Sequence, residues 1–429
     1  MNEFDKIIGY DGLKKELMQI SDALKSGEAY EKLGAKPPRG LMLYGDPGVG
    51  KSLMAACLIE ASGRKAFICR KDKPDGEFVK QITETFRAAK EAAPSIVFLD
   101  DMDKFTNGDE RNPDAEEYVT VQSCINECMD SDVFVLATAN NIRVLPDSLL
   151  RAGRFDRRIK VENPKGSDAE RIIAHYIAGK PFVRDIDAAV VAKIMGRRSC
   201  AELETVINEA GLLAGYERSE VITMNHIMKV CLHLFHDVPT EVINAFGESK
   251  DEKAGENLRR TAYHEAGHAT VAEVLNPGSV TLVTAYDDED SDMGGFSSCG
   301  NDAKGSYLQR VENRVIISLG GMAASEQVFG EPDAGSSDDL NKAFDAVGDM
   351  VRDIGFCGLH LHPNVCDYGS VDLRARQEYA ASSEVERYFR KAKEILANNR
   401  PLLNAIAEGL MKKGFLTACD IAEIRKKIA

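Results

Sequence analysis

Two histidines stand four residues apart in TAYHEAGHAT (261–270), with a glutamate directly after the first. Residues four apart share a helix face, so His264 and His268 can ligate one ion, and Zn²⁺ suits such a pair. Glu265, beside them, can take a proton from an attacking water. A catalytic zinc takes three protein ligands and keeps one position open, so a third ligand must come from elsewhere. The acidic residues of GSSDDLNKAF (335–344), Asp338 and Asp339 first, are candidates at an expected helix start. CGLHLHPNVC also gathers Cys357, His360, His362 and Cys366 at a spacing that could bind metal, although exposed loop histidines usually bind nothing.

A second chemistry lies earlier. GDPGVGKS (45–52) fits G-x-x-x-x-G-K-[ST], follows an apolar run and opens a helical pattern. The turn Gly45, Asp46, Pro47, Gly48, Val49 and Gly50 would wrap its backbone around the phosphates of ATP, helped by the partial positive charge of the helix start. Lys51 would neutralise the β- and γ-phosphates, and Ser52 would hold Mg²⁺. In IVFLDD, Asp100 ends a buried strand and would also hold Mg²⁺. Asp101 stands where a water-activating base belongs. Asn140, ending ATAN, can orient the attacking water or read the γ-phosphate. Arg151 and Arg154 in LLRAGRFDRR lie three apart, as arginine fingers for developing phosphate charge would.

The elements that must carry these residues follow from apolar spacing. LMLY (41–44), IVFL (96–99) and VFVLATA (133–139) are short continuous runs, as parallel strands covered on both faces should be. SLMAACLIEA and FVKQITETFRAAKEAA read as helices between them, which gives a doubly wound α/β layout. DAERIIAHYIAG, AELETVINEAGLLAGYER and MNHIMKVCLHLF show apolar spacing of three and four and predict a small helical subdomain. From 258 onward the chain is mostly helical, with VTLVTAY (280–286) and GGFSS (294–298) as strands around an acidic turn, DDEDSD. The expected division is 1–162 for the α/β part, 163–236 for the helical lid, 237–257 for a polar linker and 258–429 for the metal-binding domain.

The chain has 429 residues, room for three domains at about 150 each. A formal net charge of −15 argues against a nucleic-acid binder, which carries a basic face. The ten cysteines include no CxxC pair in a chain too large to need disulfide staples, so free thiols and a cytoplasmic location are expected. No apolar run approaches the ~18 residues of a membrane span, so no membrane anchor is expected within this chain.

Taken together and in order, GDPGVGKS, IVFLDD, ATAN, LLRAGRFDRR, INEAGLLA, AYHEAGH, SLGGMAASEQVFG, GSSDDL and AKEILANNRPLL resemble the FtsH family of AAA+ ATP-dependent zinc metalloproteases, from FDKIIGYDGLKKEL (4–17) to the last helix. The resemblance implies an AAA+ module with a helical lid, a mostly helical zinc peptidase domain, and a homo-hexameric ring acting on unfolded protein or peptide substrates. It implies Zn²⁺, ATP and Mg²⁺ as cofactors and Asp339 as the third zinc ligand. It makes Arg151 and Arg154 fingers that reach a neighbouring subunit's nucleotide. It also implies that the strand near MGGFSS takes substrate backbone by edge pairing. Three features depart from the family pattern. Asp101 replaces a glutamate. KPDG (73–76) stands where an aromatic-glycine pore loop is expected, with Phe78 displaced towards the next helix. No stretch of these 429 residues corresponds to the family's N-terminal membrane spans. The first two departures keep open a peptidase whose AAA+ part binds ATP mainly for assembly or gating. A non-proteolytic remodelling ATPase is the remaining alternative.

Overall fold

The computed structural model describes residues 3–428 apart from 36, 73–74, 107–114, 182–185, 237, 239, 241–242, 244–254, 287–293, 301–304, 334 and 357–370. The chain divides into two compact units, Met1–Ile227 and Met228–Ala429.

The first unit is built on a parallel sheet in the order β2-β3-β4-β1-β5: Gly40–Tyr44 (β1), Lys65–Cys69 (β2), Ser95–Leu99 (β3), Val133–Ala139 (β4) and Arg157–Lys160 (β5). The central strands are continuous apolar runs because both faces are covered. Leu41, Leu43, Ile96, Phe98 and Leu136 enter one core, and Met42, Val97, Leu99, Val135 and Ala137 enter another. Helices Lys51–Ser62 and Asp75–Glu91 link the first three strands of the chain. The edge strands β2 (KAFIC) and β5 (RRIK) are half exposed, so their composition carries no buried-strand signal. Helices Ser167–Ile177, Ala188–Met195 and Cys200–Tyr216 follow, the last opened by a capping box between Ser199 and Glu202. The expected α/β and helical parts are therefore present.

The second unit centres on helix Glu256–Leu275, buried all round from Thr261 to Glu273. A helix with no polar face sits in a core, and each polar side chain on it needs a partner. Around it pack a small antiparallel sheet in the order β7-β6-β8 (Val280–Tyr286, β6; Gly294–Cys299, β7; Phe415–Thr417, β8) and helices Tyr307–Ser318, Gly320–Phe329, Ser336–Asp353, Val371–Asn398 and Arg400–Lys413. A Cβ on Gly267 would lie 2.4 Å from the Gly320 carbonyl oxygen, so helix Gly320–Phe329 can cross the central helix backbone to backbone only at a glycine. Among the described residues no helix is long and apolar enough to cross a membrane.

Candidate functional site

The central helix of the second unit presents His264 and His268 on one face, as their spacing requires. Asp339 reaches them from the first turn of helix Ser336–Asp353. The two Nε2 atoms are 3.0 Å apart, and Asp339 Oδ2 lies 3.0 Å from His264 Nε2 and 2.9 Å from His268 Nε2. The outer ring nitrogens are engaged elsewhere. His268 Nδ1 lies 2.7 Å from the Ile317 carbonyl oxygen, which can only accept and so favours a proton on Nδ1, while the Gly321 N–H approaches the same nitrogen at 3.3 Å. His264 Nδ1 is 3.0 Å from Asp333 Oδ2. Two imidazole nitrogens and a carboxylate thus converge on one buried point, where a proton on the imidazoles or a bound cation balances the carboxylate. Burial opposes charge on His264, yet its hydrogen bonds to Asp333 and Asp339 raise its pKa to about 10. The same histidines hold Asp339 well below the usual carboxylate range despite its burial. A set of two nitrogens and one oxygen, with the outer nitrogens fixed by acceptors, fits a catalytic zinc.

Of the two acidic candidates only Asp339 joins the cluster. Asp338 has a 73 % exposed side chain and pairs with Lys342. Cys357, His360, His362 and Cys366 lie outside the described residues. Glu265 is 4 % exposed, and its Oε2 accepts a hydrogen bond from Ser297 Oγ of β7 at 2.8 Å. Burial raises its pKa, opposed by the neighbouring histidines and the Ser297 hydroxyl. Among the described residues β7 is one of the two outer strands of its sheet, and it passes directly over Glu265.

Three contributors escape sequence reading. Asp333 fixes the His264 ring and is itself held by Ser325 and Ser336. Ser297 fixes Glu265. Gly321 leaves room for the ligands. Each acts through space across tens of residues with no fixed spacing to betray it. The acidic run GEPDAGSSDD and the paired glycines of SLGGMAA were the available hints.

In the first unit the predicted nucleotide residues gather where β1, β3 and β4 end. Ligands sit outside the carboxyl ends of such strands. Gly45 has φ 151° and lies so close to Val161 that a Cβ would meet its carbonyl oxygen at 2.0 Å. The loop continues through Asp46, Pro47, Gly48, Val49 and Gly50 to helix Lys51–Ser62. Lys51 Nζ donates to Gly45 O, Asp46 O and Asn140 Oδ1, each at 2.8 Å. Burial lowers its pKa, against the fields of Asp101, Asp103 and Asp46. Asn140 is held in turn by its backbone N–H to Asp103 Oδ1 at 3.0 Å. Ser52 Oγ is 3.5 Å from Asp100 Oδ1, which also accepts from Thr138 Oγ1 at 2.8 Å. The cavity beside them, about 510 Å³, is lined by Tyr10, Lys51, Ser52, Asp101, Asn140 and Tyr176, among others, and is of ligand size.

The remaining predicted residues are placed differently. Asp101 sits in the left-handed region at φ 53°, which aspartate tolerates better than most residues, and its carboxylate pairs with Lys104 at 2.8 Å. Arg154 is tied to Gln122 and Asn126 of helix Glu116–Glu127 and to the Ser148 carbonyl, while Arg151 is exposed. Lys73 and Pro74 of KPDG lie outside the described residues. Phe78 is fully buried, edge-on to Phe105 at 4.8 Å, so it is a core residue rather than a gripping aromatic.

Comparison with known proteins finds a match for each unit. Residues 41–163 match the ATPase family associated with various cellular activities (AAA), and residues 252–424 match peptidase family M41. The chain is similar to the ATP-dependent zinc metalloproteases FtsH of Pelobacter propionicus (29 % identity, 98 % of this chain and 70 % of the relative) and of Mycoplasma pneumoniae (31 %, 99 % and 62 %). It is also similar to FtsH 2 of Symbiobacterium thermophilum (31 % identity, 98 % of this chain and 74 % of the relative).

Proposed function

This chain belongs to the FtsH family of ATP-dependent zinc metalloproteases, and we propose that it uses ATP turnover to draw unfolded or misfolded proteins into a homo-hexameric ring and cuts them at the His264–His268–Asp339 centre. The observation that carries this reading is the convergence of three zinc-type ligands beside a buried glutamate, in a chain that also folds a phosphate cradle.

Bound zinc supplies Lewis-acid polarisation at the scissile carbonyl. Glu265 takes the proton of the attacking water and returns it to the leaving amine. Ser297 holds that carboxylate in place, and Asp333 and the Ile317 carbonyl hold the two imidazoles. The free edge of β7 pairs with substrate backbone, a mode indifferent to side chains, which suits a protease of broad sequence tolerance. For ATP, Lys51 meets the phosphates, Ser52 and Asp100 hold Mg²⁺, Asp101 acts as the water-activating base and Asn140 senses the γ-phosphate. Arg151 and Arg154 serve the neighbouring subunit's nucleotide, and the exposure of Arg151 makes it the more available of the two. The proposed division keeps 1–162 and 163–236 as the AAA+ subdomains, 237–257 as linker and 258–429 as peptidase. None of the described cysteines is in a disulfide, which fits a cytoplasmic location.

A second reading, an AAA+ part that binds ATP for assembly or gating with slow hydrolysis, is favoured by the short Asp101 carboxylate tied to Lys104. Asp101→Glu separates the two readings when ATP turnover is measured with and without an unfolded protein substrate. A motor expects substrate-stimulated turnover in the wild type and a change of less than about threefold in the variant. A misplaced base forfeits part of the roughly 10²–10⁴-fold that acid–base catalysis supplies, so gating expects unstimulated turnover and a rise above about tenfold.

A further inference from the structure

We infer that Arg70 is a built-in competitor of Mg²⁺: its guanidinium pairs with Asp100 through Oδ2, the oxygen not turned to Ser52, and must leave before Mg²⁺–nucleotide can bind tightly. The inference rests on Asp100 holding the Mg²⁺ of ATP.

The placement follows from the sheet. Parallel register pairs Cys69 of β2 with Leu99 of β3, and the Asp100 N–H donates to the Cys69 carbonyl at 3.0 Å. The residues just past both strand ends, Arg70 and Asp100, are therefore neighbours. Asp100 is 2 % exposed, and a buried carboxylate persists only with a compensating partner. Its two oxygens are divided. Oδ1 takes the Thr138 hydroxyl at 2.8 Å and faces the Ser52 hydroxyl. Oδ2 takes both Nε (3.0 Å) and Nη2 of Arg70. The guanidinium thus sits on the carboxylate that, with Ser52, is assigned to the metal. An Mg²⁺ ion at that carboxylate and a guanidinium on Oδ2 would place two cations on one anionic group, so binding of one disfavours the other.

The contact is also built to open. The Arg70 side chain is 65 % exposed, so its charge is solvated when it swings away. Asp100 then exchanges one cation for another and is never left bare. The ATP site is accordingly self-neutralised without nucleotide, and tight binding requires Mg²⁺ to outcompete a residue of the same chain.

The test is fluorescent-ATP binding by the full chain across an Mg²⁺ titration, with an EDTA arm, for wild type, Arg70→Ala and Arg70→Lys. A latch closed about nine-tenths of the time reduces apparent affinity about tenfold. Arg70→Ala should therefore lower the half-saturating Mg²⁺ about tenfold, with Arg70→Lys between, and bind no more tightly than wild type in EDTA, where Asp100 then lacks a cation. An unchanged or higher Mg²⁺ requirement overturns the inference. Weaker binding in EDTA without a lower half-saturating Mg²⁺ also overturns it, because Arg70 would then act only as a phosphate ligand. If Arg70→Ala fails to fold, Arg70→Lys and Arg70→Gln carry the same readout, and no leftward shift in either counts against the latch. Failure of the underlying site assignment looks different: wild-type binding would show no Mg²⁺ dependence at all.

Discussion

Glu265→Gln should reduce peptide-bond hydrolysis by about 10²–10⁴-fold, the range a positioned general base contributes, while leaving the zinc content unchanged. The substitution keeps the shape of the side chain. The amide oxygen can still accept from Ser297 Oγ, which now holds the carboxylate at 2.8 Å, so the strand β7 stays over the helix. The ligand atoms His264 Nε2, His268 Nε2 and Asp339 Oδ2 are untouched. What disappears is the proton acceptor. Burial raises the pKa of Glu265, bringing a carboxylate closer to the range in which it both takes and returns a proton, and an amide can do neither. Metal analysis beside a peptide-cleavage rate separates this outcome from misfolding. Activity within about tenfold of wild type, with zinc intact, would remove Glu265 from the chemistry.

Gly321→Ala should strip the zinc. Glycine inside a helix normally costs about 0.5–1 kcal/mol relative to alanine, so this substitution would stabilise an ordinary helix. Here the added methyl would lie 2.3 Å from His264 Nε2 and 2.5 Å from His268 Nε2, on the ligand atoms themselves. Helix Gly320–Phe329 cannot back away easily, because Glu326 and Gln327 tie it to Lys393 of helix Val371–Asn398 on its other side. The histidines must move instead. Changes to residues that merely support metal ligands weaken metal binding about 10–100-fold, and direct intrusion should exceed the upper end of that range. The prediction is loss of stoichiometric zinc and of peptidase activity, with ATP binding in the first unit unaffected. Full zinc retention would mean that the metal does not sit between these rings.

Some of this was readable from sequence for definable reasons. The strands β1, β3 and β4 announce themselves because burial on both faces demands unbroken apolar runs, and their ends carry Gly45, Asp100 and Asn140. The i, i+4 geometry of His264 and His268 is local, so spacing alone put them on one face. Asp338 and Asp339 could not be separated locally. Their difference lies in which way helix Ser336–Asp353 turns each carboxylate, one towards Lys342 and one into the core. The strands β2 and β5 were missed because half-exposed edges tolerate KAFIC and RRIK. Arg70 was missed with them, since its place beside Asp100 exists only once β2 pairs with β3. Asp333, Ser297 and Gly321 belong to the same class: their roles come from packing between elements far apart in the chain. Phe78 shows the converse, an aromatic near the expected pore loop that the core has claimed.

The central claim joins the two chemistries: turnover at the Lys51 site drives chains to the Glu265 site. The most direct measurement is cleavage of a labelled unstructured protein by the zinc-loaded chain, with ATP or a non-hydrolysable analogue, and Glu265→Gln as the blank. The account predicts cleavage with ATP and little or none with the analogue. Equal cleavage with the analogue, or without nucleotide, would contradict it and leave the AAA+ part as a device for assembly or gating.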